Sequence, residues 1–269
     1  MSKVFVLGNG ESRNGIDLES LRGKGKIYGC NALYRDFAPD GLVCVDGGMM
    51  HEVYESGYAL KHKCYFRSWT KLPEFIYDDM SNLDTLMEWS SSSRVENDKG
   101  NRTQFVMNGT DPSQMQRLYE HHKQIGSDET TMKQLFSQHK QWITWVEDED
   151  KVEVISDEYS GWSAGPTAVR VSIDAHDPTE VYLLGFDMTS ADGKINNIYK
   201  GTDNYLSFDS AVTPHTNWVD QHMVNFDNFP SIKFYRVNTK GFNFKIKEWN
   251  IFYNFEDIDF EEFQKSIDE

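Results

Sequence analysis

The sequence predicts an α/β fold, a mostly parallel β-sheet with flanking helices and a lid loop over one edge. Two observations carry this. Short, nearly continuous apolar runs recur, as in strands buried on both faces. Each run stops on glycine, asparagine or aspartate, and a helix-like stretch follows several of them, which is the alternation of a parallel sheet.

Val4-Phe5-Val6-Leu7 is the first such run and ends in Gly8-Asn9-Gly10-Glu11-Ser12, with a helix-like stretch over residues 16–21 and Asp17 near its start. Lys26-Ile27-Tyr28-Gly29-Cys30-Asn31 reads as a second strand ending on Asn31. Leu42-Val43-Cys44-Val45-Asp46 reads as a third, ending on Asp46 and opening a helix from Met49. Residues 70–150 are less regular and read as a helical insertion in a single domain spanning 1–269. Within it, 90–93 and 96–102 look like exposed loop, 112–125 and 130–142 look helical, and 147–150 is an acidic turn.

Regularity then returns. Val152-Glu153-Val154-Ile155 is strand-like, 166–176 is helical, and 180–186 is a second apolar run closed by Asp187. Residues 189–215 are polar, contain glycine and have no period, which marks a long functional loop, the expected lid. A helix over 217–226, a strand over 232–237 and an acidic terminal helix over 255–267 complete the prediction.

Composition narrows the function. A chain of 269 residues with 38% hydrophobic and 14% aromatic content can build a substantial core, because each buried aromatic ring removes a large area from water. With 27 basic against 43 acidic residues the net charge is −16, which disfavours sequence-independent DNA or RNA binding. Cys30, Cys44 and Cys64 are odd in number and lack CxxC spacing, against a disulfide framework or structural zinc, and Cys30 and Cys44 read as small buried residues. No apolar run reaches the ~18–20 residues of a membrane span. The start passes from Met1-Ser2-Lys3 straight into a strand, leaving no signal-peptide pattern, so a cytoplasmic location is expected. Asp148-Glu149-Asp150 and Asp257-Ile258-Asp259 fit D-x-D, but their acidic surroundings read as solvated charge, and no metal is assigned.

The chemistry-bearing residues gather where strands end, the edge at which open parallel sheets hold ligands. In Gly8-Asn9-Gly10-x-Ser12 the glycines let a phosphate or sugar approach main-chain N–H groups, while Asn9 and Ser12 add an amide and a hydroxyl. It is not the dinucleotide G-x-G-x-x-G, because Arg13 stands at the third glycine position, and no G-K-[ST] follows to make a P-loop. A plain strand-to-helix turn accounts for the same residues. Asn31 and Asp46 add polar groups at two more strand ends, or cap helices. Ser163-Ala164-Gly165 precedes a helix and Asp187 closes a strand, repeating the pattern in the second half. The lid holds Tyr199 and Tyr205 and runs into His215, which precedes a helix and is placed to act as a general base, though one of eight histidines can equally be a surface residue.

These motifs resemble the bacterial sialyltransferases of glycosyltransferase family 42. Those carry G-N-G-x-S after a first strand, a C-N-x-x-Y segment, S-G before a helix, a strand ending G-[IF]-D, and a lid leading to H-[ST]. Here Gly8-Asn9-Gly10-Glu11-Ser12, Cys30-Asn31-Ala32-Leu33-Tyr34, Ser163-Ala164-Gly165, Gly185-Phe186-Asp187 and His215-Thr216 follow in that order, over about 1–70 and 155–245. The resemblance implies a Rossmann-like sheet and a metal-independent glycosyltransferase that needs no cofactor. Its substrates would be a cytidine nucleotide-sugar (a CMP-sugar) and a glycan or other hydroxyl acceptor; a homo-oligomer is compatible. By the same resemblance His215 would deprotonate the acceptor and Tyr199 would hydrogen-bond the departing phosphate. Three positions depart from the pattern: Asp46 replaces an Asn, Gly161 falls near a missing Arg, and Met188 replaces a Tyr. Nucleotide binding therefore transfers better than sialic acid as the sugar. A pterin-pyrophosphokinase-like enzyme using ATP and a divalent metal, and a non-catalytic nucleotide binder, are the alternatives.

Overall fold

The computed structural model describes residues 2–81, 95–109, 120–121, 123–127, 141–159, 161–190, 192–239, 241–242 and 245–268. Its first strands are β1 (Lys3–Leu7), β2 (Lys26–Cys30), β3 (Gly41–Cys44) and β4 (Cys64–Phe66). Next come β5 (Leu72–Pro73), β6 (Val95–Glu96), β7 (Gln104–Gly109), β8 (Gln141–Val146) and β9 (Val152–Val154). The last are β10 (Glu180–Leu184), β11 (Lys233–Asn238) and β12 (Phe255–Asp259). Helices among the described residues are α1 (Gly47–Glu55), α2 (Glu74–Ser81), α3 (Ala164–His176), α4 (Thr216–Asn228) and α5 (Phe260–Asp268). The chain divides into two compact units: Met1–Val45 with His62–Tyr65 and Ile155–Glu269, and Asp46–Lys61 with Phe66–Val154.

The first unit is the predicted α/β layer structure. Its strands lie in the order β12-β11-β10-β1-β2-β3-β4, and β1 pairs in parallel with both β10 and β2. Parallel pairing continues outward through β11 and β12 on one side and β3 on the other. The continuous apolar runs make this arrangement stable, because helices cover both faces. Val4 and Val6 pack with Ala168, Val169 and Ile173 of α3 in one buried cluster, while Phe5 on the opposite face meets Phe263 of α5 at 6.0 Å between ring centroids. Cys30, Cys44 and Cys64 are buried and are not joined in disulfides. No helix among the described residues is long and apolar enough to cross a membrane.

The boundaries depart from the sequence pattern in two places. The helix expected over 16–21 is a short 3-10 turn at Leu18–Leu21, capped by the Asp17 carboxylate accepting from the Glu19 N–H at 3.1 Å. The acidic helix expected from 255 begins at Phe260, because Phe255–Asp259 pairs with β11 and is held there by the buried Arg236–Asp257 ion pair at 2.6 Å. A cross-strand ion pair satisfies the acidic residue that made this segment look helical.

The second unit has a sheet in the order β5-β7-β8-β6, with β7 and β8 antiparallel. Phe105, Ile143 and Trp145 form its core, packed against Leu72, Ile76 and Tyr77. The helices expected at 112–125 and 130–142 fall mostly outside the described residues. Within them 120–121 and 123–124 are helical, whereas 141–142 open β8, whose aromatic and β-branched side chains favour a strand.

His222 of α4 lies wholly inside the first unit between Phe186 and Trp249, with ring centroids at 5.0 and 5.2 Å, and neither ring nitrogen has a hydrogen-bond partner. Burial lowers its pKa from 6.5 to about 3. The unfolded chain therefore takes up a proton below about pH 6.5 that the folded chain refuses, and stability falls as the pH drops through that window. His222→Phe should remove this penalty. Urea unfolding at pH 7 and pH 5 should show wild type losing about 2 kcal/mol more than the variant over that interval.

Candidate functional site

The site is built where β1 meets β10. The chain order reverses here, β2 lying on one side of β1 and β10 on the other, the point at which parallel sheets leave a crevice. The turn after β1 continues the ladder: the Gly8 N–H donates to the Leu184 carbonyl at 2.8 Å and the Gly10 N–H to the Gly185 carbonyl at 2.9 Å. A Cβ on Gly8 would stand 2.5 Å from the Gly185 oxygen, and one on Gly10 would stand 2.6 Å from the Asp187 carboxyl carbon. Gly185 itself has φ +76°. Glycine is thus demanded by backbone contact before any ligand is considered. Asp187 locks the turn by accepting the Ser12 N–H at 3.0 Å, and the Ser12 carbonyl accepts from Thr239 at 2.9 Å.

Asn9 turns the other way, toward β2. Its Nδ2 donates to the Cys30 carbonyl at 3.3 Å and to the Tyr205 hydroxyl at 3.2 Å. Asn31 holds φ +55° just beyond β2, and the next N–H, that of Ala32, also donates to the Tyr205 hydroxyl, at 3.4 Å. One phenol oxygen thus receives donors from two adjacent strand ends. Asn9 Oδ1 and Asn31 Oδ1 are buried there without a hydrogen-bond partner.

The loop over 189–215 sits on this platform. The Ile198 N–H donates to the Asn9 carbonyl at 2.8 Å, Asn196 Oδ1 accepts the Glu11 N–H at 2.8 Å, and Lys200 pairs with Glu11 at 2.5 Å. Arg35 donates to the Thr202 hydroxyl at 2.7 Å. Tyr199 is buried. It donates its hydroxyl to Asp36 at 2.6 Å and accepts from Arg13 Nη2 at 3.0 Å. Burial pushes the Tyr199 phenol up, against the pull of the Arg13 charge, and pushes Tyr205 up as well. Both hydroxyls stay protonated at neutral pH and remain able to donate.

The structure therefore brings together Gly8, Asn9, Gly10, Ser12, Asn31, Asp187 and Tyr199. The other candidates have different surroundings. Asp46 belongs to the second unit, exposed at the start of α1 without a side-chain cap bond. The Ser163 N–H donates to Gln221 at 2.8 Å, and Gly165 is small because a Cβ would lie 2.9 Å from the Phe186 ring. His215 is exposed at the head of α4, and its side chain makes no hydrogen bond or ion pair with these residues. Sequence reading missed Arg13, Asp36 and the Ala32 N–H. Arg13 had been visible only as the lack of a third glycine, and a backbone donor leaves no mark in a side-chain pattern.

A cleft of about 850 Å³ opens on the same unit beyond β11 and β12, lined by Asn14, Asn238, Thr239, Phe242 and Phe260 among others. Glu11 is the one residue it shares with the loop contacts above. Among the described residues no group of three or more His, Cys, Asp or Glu side chains is placed to hold a metal ion.

Two predictions test this geometry. Gly8→Ala should cost about 1–3 kcal/mol in urea unfolding, because backbone rather than a flexible side chain must yield. Gly57→Ala, at φ +76° with open space around it, should cost only about 1 kcal/mol. Tyr205→Phe should leave global stability within about 1 kcal/mol but speed amide exchange over 196–206 by roughly 5- to 30-fold, the equivalent of two modest hydrogen bonds.

No family model matches the sequence, and no curated protein matches it. The chain is similar to solved structures of the sialyltransferase CstII from Campylobacter jejuni. One, in complex with the substrate analogue cytidine-5'-monophosphate, is 13% identical, with 88% of this chain and 79% of that chain covered and a TM-score of 0.35. Another, in complex with CMP-3FNeuAc, is 12% identical, with 88% and 81% covered and a TM-score of 0.37.

Proposed function

We propose that the chain is a metal-independent glycosyltransferase that moves a sugar, sialic-acid-like in type, from a cytidine-type nucleotide donor to an acceptor hydroxyl. The observation that supports this reading most is the pair of buried, unpartnered amide oxygens, Asn9 Oδ1 and Asn31 Oδ1, beside two donors that converge on one oxygen. A buried polar group left unpaired costs about 1–3 kcal/mol, so this edge is completed by a ligand offering hydroxyl or amino donors together with an acceptor oxygen. A nucleoside monophosphate offers all three. The glycines keep the platform free of side chains, and the loop over 189–215 shields it from water. In this reading Tyr199 meets the departing phosphate, and His215 takes the proton of the acceptor hydroxyl.

His215 also motivates a second reading. Its side chain makes no hydrogen bond or ion pair with the residues around Asn9, an arrangement that suits a nucleotide binder without catalysis. One set of measurements separates the two. In a thermal-shift panel of CMP, UMP, GDP, ATP and their sugar conjugates, CMP compounds should stabilise most, by about 2.7 kcal/mol at a hundredfold excess over Kd. His215→Ala should abolish transfer from CMP-sugars and leave the CMP Kd within about twofold. Binding without turnover would establish the non-catalytic reading, EDTA-sensitive use of ATP would favour pyrophosphoryl transfer, and silence across the panel would overturn nucleotide binding.

A further inference from the structure

Arg13 is a buried cation with no ion-pair partner among the described residues. Its side chain is 5% exposed, directly behind the glycine turn, and its backbone N–H donates to the Gly10 carbonyl at 3.1 Å. Nη2 donates to the neutral Tyr199 hydroxyl at 3.0 Å, the guanidinium carbon lies 5.7 Å from the centre of the same ring, and Nη1 has no hydrogen-bond partner. No carboxylate among the described residues forms an ion pair with it. Asp36 is reached only through the Tyr199 hydroxyl, which donates to it at 2.6 Å.

This arrangement is expensive if its purpose is packing. An ion taken out of water without an opposite charge costs several kcal/mol, and an unpaired buried donor adds more. A glutamine could hold the Tyr199 hydroxyl, and a methionine could fill the space, without either penalty. What neither can do is receive an anion. Guanidinium offers a fork of donors matched to phosphoryl oxygens and stays charged at every physiological pH. Its cover is a loop residue, Tyr199, and its floor is the turn that approaches Gly185.

We propose that Arg13 is the anion-binding residue of the site, taking the phosphoryl group of the ligand on Nη1 and Nη2 when Tyr199 moves aside. The nature of the rest of the ligand rests on the nucleotide reading; the anion contact does not. In this structure Tyr199 occupies Nη2, and Asp36 holds the tyrosine in that position.

The test is calorimetric titration of wild type, Arg13→Gln and Arg13→Lys with inorganic pyrophosphate, CMP and cytidine. Arg13→Gln should raise the Kd for pyrophosphate and CMP by about tenfold or more, the loss of a charge-assisted hydrogen bond, and leave cytidine within about twofold. Arg13→Lys should fall between. Should Arg13→Gln not fold, Arg13→Met serves, with a higher unfolding temperature than wild type without ligand and the same loss of pyrophosphate binding. Unchanged pyrophosphate and CMP binding in the Arg13 variants overturns the proposal, as does equal weakening of cytidine and CMP, the signature of a packing role, or a wild type that binds neither anion. Arg13-dependent pyrophosphate binding with no preference among nucleotides would uphold the anion site and sink the cytidine reading instead.

Discussion

Two backbones meet at the centre of the first unit with no room for a side chain between them: a Cβ on Gly8 would stand 2.5 Å from the Gly185 oxygen, and one on Gly185 would stand 2.8 Å from the Gly8 oxygen. Much of the local geometry depends on this contact. It lets the turn extend the β1–β10 ladder by two further hydrogen bonds beyond the strands. It brings Asp187 to the Ser12 N–H and drives Arg13 into the interior behind the turn. Because the turn is fixed on the β10 side, the Asn9 side chain is directed toward β2, where the Cys30 carbonyl and the Tyr205 hydroxyl receive it.

The loop over 189–215 follows from that platform. Its bonds differ in weight. The pairs formed by Lys200 with Glu11 and by Lys194 with Asp209 are partly or fully exposed, and such pairs contribute about 0–1 kcal/mol each. The interior contacts of Tyr199 with Arg13 and Asp36, and of Tyr205 with Asn9 and Ala32, lie in drier surroundings and hold the loop more specifically. In both, a tyrosine hydroxyl occupies a group that a ligand would otherwise engage. On the proposed reading binding and loop movement are coupled, since a ligand oxygen and the Tyr205 oxygen would compete for the same two donors.

The sheet was legible in the sequence for a physical reason. Strands buried on both faces must be apolar throughout, so Val4-Phe5-Val6-Leu7 and the run before Gly185 announced themselves, as did the glycines that follow. An edge strand carries no such demand. β12 mixes acidic and apolar residues without strict alternation and owes its place to Arg236, a partner no local pattern names. The site was legible only in part. Gly8, Asn9, Gly10, Asn31 and Asp187 do come together at one sheet edge, yet chain adjacency alone could not show that Gly165 is small for Phe186 or that the second compact unit begins at Asp46. Arg13 was hidden because a motif records which residue is missing, whereas burial records what the residue present must find.

The central claim is that the ligand edge is the one now covered by Tyr199 and Tyr205, not the cleft beyond β11 and β12. A crystal structure of the chain soaked or grown with CMP tests it directly. The account predicts nucleotide oxygens within hydrogen-bond distance of Asn9 and the Ala32 N–H, with the Tyr205 hydroxyl displaced from both. CMP lodged beside Asn238, Thr239 and Phe242, with Tyr205 still on Asn9, would contradict it.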